Sequence, residues 1–151
     1  MNARVATAVT GAITLALGVV GLLYPALVLG FFGLLVQNAS DSAGALCEIR
    51  ATYGGIFIVL GVYTLAATID PAAHRARLLM LALVWFGACL GRLFGVSLDG
   101  NPGLFGWLSA ALEVAMGGTL LIASLTASNA ADAMPATVGA TPPPAGISPP
   151  A

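Results

Sequence analysis

The chain has 151 residues, of which 59% are hydrophobic and 7% charged, and its formal net charge is −1. Its mean hydropathy is +0.99. A soluble domain is about one-quarter charged, so this composition excludes an ordinary soluble enzyme, a nucleic-acid binder and a disordered protein, and points to an integral membrane protein.

A membrane-crossing helix needs about 20 mostly apolar residues. The first such run, Val5 to Tyr24, carries no charge and reads as a retained helix, because a secretory signal has a shorter apolar region. Pro25 is expected to end it. Ala26 to Val36 is apolar but too short to cross, and its Gly30, Phe31, Phe32 and Gly33 suit an interfacial segment. One kinked helix over the whole stretch would measure about 48 Å, too long for a core of roughly 30 Å. A polar loop is expected from Gln37 to Gly44.

The second span is read from Leu46 to Ile69. Asp70-Pro71 offers an N-cap and a first-turn proline, so the third helix is expected to start near Pro71 and to cross from Leu78 to Leu98. Asp99-Gly100-Asn101-Pro102-Gly103 is turn chemistry, and the fourth span follows from Leu104 to Leu125. Pro25, Pro71 and Pro102 all fall at boundaries. The fold expected is therefore all-α, a four-helix transmembrane bundle over residues 1–126 with a short interfacial segment between helices 1 and 2. Residues 127–151 hold six of the nine prolines and no leucine or aromatic residue. They read as a disordered Pro/Ala-rich tail.

Arg4 precedes span one, and Arg75 and Arg77 lie between spans two and three, whereas the opposite loops carry Asp41 and Asp99 and no arginine. Cytoplasmic loops collect Lys and Arg. Both termini are therefore expected in the cytoplasm, in a bacterial inner membrane; the lack of lysine and the abundance of alanine and glycine point to a GC-rich bacterial genome. Tyr24, Tyr53 and Trp107 then sit near the outer interface.

Four charges fall within or at the edge of the spans: Glu48, Arg50, Arg92 and Glu113. Such charges cost about 2.5–3.5 kcal/mol or more each at a helix centre and usually pair inside a bundle. At 1.5 Å per residue, Arg50 lies about 5 Å, Arg92 about 9 Å and Glu113 about 14 Å below the outer boundary. Glu48 is at the rim. An arginine side chain can span the Arg92–Glu113 offset. Gly87, Gly91 and Gly95 form a GxxxGxxxG stripe beside Arg92, a close-packing signal. Gly106, Ala110, Glu113 and Gly117 share one face of the fourth helix, while Arg50, Gly54 and Gly61 share one face of the second, with Tyr53 beside them. The cluster reads either as a fold-locking ion-pair network or as a polar pocket for a headgroup, a small anion or a polar-headed lipophile.

Other candidates are weaker. His74 reads as a solvated loop residue. Cys47 and Cys89 lie at different depths, which argues against a disulfide, and no metal-binding or nucleophile–base pattern occurs. No cofactor or metal is expected.

The sequence Glu48-Ile49-Arg50-Ala51-Thr52-Tyr53-Gly54-Gly55, with Gly91-Arg92-Leu93, Asp99-Gly100-Asn101-Pro102 and Glu113, resembles a bacterial family of small four-span membrane proteins known as a domain of unknown function, DUF4345. The resemblance covers about Val5 to Ser124. It implies that Arg50, Tyr53, Gly54, Gly55, Arg92, Asp99 and Glu113 are signature positions, and it implies no activity. A more distant similarity is to DoxX-type four-helix membrane proteins, some of which are linked to quinone or redox partners. The function expected is that of a non-enzymatic accessory or structural membrane component. The alternative is a small binding or transport protein for a lipid, quinone or anion. The bilayer is the expected partner, with a membrane-protein partner or a homo-oligomer left open and no nucleic acid.

Overall fold

A computed structural model describes residues 3–32 and 39–132. These residues fold entirely as helices and short connections: α1 (Ala3–Leu23), α2 (Pro25–Phe31), α3 (Ala39–Ile49), a π-helical segment (Arg50–Ile56), α4 (Phe57–Ala67), α5 (Arg75–Asp99) and α6 (Gly103–Asp132). The helices α1, α5 and α6 and the continuous run Ala43–Ala67 are long and apolar enough to cross a membrane.

The bundle is built as two tightly packed hairpins, α1 with α4 and α5 with α6, joined mainly through α1 and α6. In α1 the buried face is Thr7, Thr10, Gly11, Thr14, Gly18 and Gly21. Val5, Val9, Ile13, Val19 and Leu22 point outward. This arrangement is inverted relative to a water-soluble helix, and it is what lipid allows: small residues pack and large apolar ones face the solvent. Three of the buried hydroxyls are satisfied along their own helices. Thr7 donates to the Ala3 carbonyl at 2.9 Å, Thr14 to Thr10 at 2.8 Å and Thr64 to Leu60 at 2.8 Å.

Glycines let α1 approach the second span backbone to backbone. A methyl group added at Gly18 would lie 2.6 Å from the Ile58 nitrogen, and one at Gly61 2.6 Å from the Leu15 nitrogen. Across the π-helical segment, a methyl at Gly21 would sit 2.6 Å from the Tyr53 carbonyl. Arg50, the first residue of this segment, donates from Nε to the Leu22 carbonyl at 3.3 Å. It thereby caps one of the carbonyls that the end of α1 leaves open.

Several boundaries differ from the sequence expectation. Residues 39–44, expected as loop, belong to α3, where the alanines favour helix. The third long helix starts at Arg75 rather than near Pro71. Asp70 instead closes a turn by accepting the Ala73 N–H at 3.1 Å, and His74 occupies the N-cap position of α5. At the other end α6 continues to Asp132, past the expected domain edge at residue 126. The tail from 133 onward lies outside the described residues, as do 33–38 of the interfacial segment and its loop.

A solid core fills the half of the bundle nearest the α4–α5 turn. It comprises Ala67, Leu78, Leu81, Ala82, Trp85, Met116, Leu120 and Ala123. Arg77 stacks over the Tyr63 ring at 5.2 Å and the Ser124 hydroxyl donates to the Arg75 carbonyl at 3.2 Å, tying this end together. The other half, toward the α5–α6 loop, is hollow.

Candidate ligand-binding site in the bundle

The α5–α6 loop sets the site. Gly100 (φ 91°) and Gly103 (φ 72°) take the left-handed backbone that glycine tolerates. Asn101 Oδ1 accepts both the Gly103 N–H and the Trp107 indole N–H, each at 3.1 Å. This turn runs α6 back along α5. At 1.5 Å per residue, Arg92 is about 10 Å and Glu113 about 15 Å from the loop, and the long arginine side chain closes the difference.

The two groups form a side-on pair. Arg92 Nε donates to Glu113 Oε2 at 3.2 Å and Nη2 to Oε1 at 2.6 Å. A planar guanidinium matches a carboxylate in this two-bond geometry better than an ammonium could. The Glu113 side chain is 8% exposed and that of Arg92 22%. The difference matters, because the carboxylate is enclosed whereas the guanidinium still faces open space. Its three other N–H groups meet no acceptor among the described residues.

That space is a pair of cavities. One opening, about 310 Å³, lies among α1, α2 and α6, lined by Leu17, Leu27, Val28, Phe32, Leu108, Ser109 and Leu112 among others. A second, about 340 Å³, lies between the second span and α5, lined by Thr52, Leu60, Val84 and Ala88. Both touch Tyr53, Phe57, Trp85, Arg92 and Glu113. The ion pair therefore stands in the wall that the cavities share. Aromatic rings line the rest: Phe32, Tyr53, Phe57 and Trp85 follow one another at centroid separations of 5.5, 5.6 and 5.4 Å. Near the α5–α6 loop, Phe31 of α2 meets Phe105 of α6 at 4.2 Å and closes that end.

The remaining candidates separate from the pair. Arg50 caps α1, as described. Glu48 is exposed on α3, and Asp99 is exposed at the end of α5. Of the second-span motif, Tyr53 lines both cavities and Thr52 lines the second. Among the glycines, Gly54 meets Leu22 of α1, and Gly117 would press a methyl 3.0 Å from the Phe86 ring. A methyl at Gly106 would strike Pro102, in its own turn, and one at Gly55 would find only the Arg50 carbonyl at 3.8 Å. Gly87, Gly91 and Gly95 have nothing within 4 Å of a Cβ position, so this stripe packs on no other described helix of the chain. The reason is rotational. α5 buries Leu78, Leu81, Ala82, Trp85 and Cys89, a face that points away from the glycines. Cys47 is exposed and Cys89 buried, both as free thiols.

Sequence reasoning missed the α2 and aromatic walls of the cavities and the packing glycines of α1. The α1 spacing Gly11, Gly18, Gly21 is less regular than the stripe on α5 and gives the weaker packing signal. Among the described residues no group of His, Cys, Asp and Glu is arranged to hold a metal ion.

Fold and site together define a class: a small multi-pass membrane protein whose apolar bundle encloses one arginine–glutamate pair beside open space. The model of the family described as "Domain of unknown function (DUF4345)" matches residues 2–124, and the chain belongs to that family. No curated protein and no solved structure matches the chain.

Proposed function

We propose that the protein is a non-enzymatic membrane component that binds a polar-headed lipophile, with Arg92 and Glu113 at the head of the site. One observation carries this reading. The pair is not closed off by protein on all sides but forms part of the wall of two apolar cavities. Small-molecule sites are commonly apolar clefts of about 300–1,000 Å³ with a few convergent polar groups. A purely fold-locking pair would gain from being sealed, because each exposed donor in an apolar medium is a loss.

The test is native mass spectrometry of the chain gently extracted from its own membrane, beside the double variant Arg92→Gln/Glu113→Gln. The variant removes both charges and leaves none unpaired. The proposal expects a defined non-protein mass on the native chain and its loss from the variant. The same adduct on both, or none on either, would reject the reading.

The orientation belongs to the same proposal. An even number of spans puts both termini on one side, and the positive charge of Arg4, Arg75 and Arg77 supports the reading that this side is the cytoplasm of a bacterial inner membrane. Fluorescent-protein fusions at either end should then mature and fluoresce, while periplasmic phosphatase fusions at the same ends stay inactive. The reverse pattern would invert the topology.

A further inference from the structure

The charge and donor inventory of the cavities narrows the ligand class, resting on the binding reading above. Besides Tyr53, the ionisable groups lining either cavity are Arg92 and Glu113. They already neutralise each other. An anionic head would bring an uncompensated charge into an apolar, low-dielectric space, where desolvation costs more than the half-screened guanidinium returns. Yet three guanidinium N–H groups still lack an acceptor among the described residues, and an unmade bond there is also costly. A neutral head that only accepts hydrogen bonds resolves both demands. The geometry points to a neutral lipophile with a carbonyl-type acceptor head, such as an ester or a ketone, held on Arg92 with its body against the Tyr53, Phe57 and Trp85 rings.

The route of entry follows from the packing. The second span and α5 touch only sparsely, and the cavity between them is rimmed by Thr52, Val84 and Ala88, all exposed on the bundle's flank. In a membrane that flank faces lipid. The ligand enters sideways from the bilayer, and any long tail stays in the lipid.

Trp85 lines both cavities and reports occupancy. The chain carries two tryptophans, and Trp107 sits at the α5–α6 loop. The experiment reconstitutes the full chain carrying Trp107→Phe in nanodiscs of dioleoylphosphatidylcholine. It titrates two bromine-labelled probes with the same quenching chain, methyl dibromostearate and, at alkaline pH, ionised dibromostearate. The unsubstituted chain serves equally, with Trp107 adding a background that does not saturate.

The methyl ester should quench Trp85 saturably, at a mole fraction about tenfold lower than the carboxylate requires. The double variant Arg92→Gln/Glu113→Gln should leave only non-saturating quenching by bulk lipid. Equal or tighter saturation by the carboxylate would overturn the neutral-ligand inference and leave the binding reading standing. No saturation by either probe would overturn both. Undiminished ester binding in a folded double variant would overturn the role of Arg92. The ester–carboxylate comparison is made on the intact pair, so it needs no charge variant to fold.

Discussion

At the residue scale, Arg92 and Glu113 differ in what they lose if separated. Glu113 is the more enclosed, so an unpaired carboxylate there has little water to fall back on. Arg92 keeps partial access through the cavities. Breaking a buried pair typically costs about 3–5 kcal/mol. Arg92→Gln, which strands the carboxylate, should therefore lower stability by about 3 kcal/mol, while the double variant Arg92→Gln/Glu113→Gln should recover most of that loss. Thermal unfolding in detergent measures both, and a double variant as unstable as the single one would argue against a charge effect. This pairing was legible in the sequence because helix rise and a two-glycine turn fix the offset between the two residues. Arg50 was not separable from them on depth alone. Its guanidinium reaches back to the Leu22 carbonyl, a contact across the hairpin set by the π-helical segment, which no periodicity announces.

At the element scale, the closest packing is between α1 and the second span, and glycines make it. The number and order of the long helices could be read from apolar runs and boundary prolines, since length and hydropathy suffice for that. Which face of each helix turns inward could not, because in lipid the apolar residues no longer mark the core. The small-residue stripe of α5 illustrates the ambiguity: its spacing is ideal for packing, yet Gly91 meets no neighbour, while the less regular Gly18 and Gly21 meet backbone. Gly21→Ala should accordingly cost stability at the upper end of the overpacking range, about 1–3 kcal/mol, because a backbone carbonyl cannot swing aside. Gly91→Ala should leave the thermal midpoint unchanged or raise it slightly, since alanine is the better helix former. Equal sensitivity at the two positions in detergent melting curves would contradict the assignment of the packing faces.

At the scale of the whole molecule, the bundle is solid at one end and hollow at the other. The core around Leu78, Leu81, Leu120 and Trp85 packs α4, α5 and α6 together and does not include the ion pair. The hollow half then has freedom to carry the polar groups that a bilayer otherwise penalises. The short helix α2 contributes to this end by laying Leu27, Val28, Phe31 and Phe32 along the cavity rather than crossing the membrane. Composition alone established a membrane protein, but a cavity is a property of packing, and nothing in a single sequence reports the gap between two helices. The most direct test places a photo-crosslinking amino acid at Ser109, on the cavity wall, and at Val114, exposed on the same helix away from it. After irradiation in the native membrane, Ser109 should capture one defined small-molecule mass and Val114 a spread of bulk phospholipids. The same phospholipid spread at both positions would contradict the existence of a ligand site in this bundle.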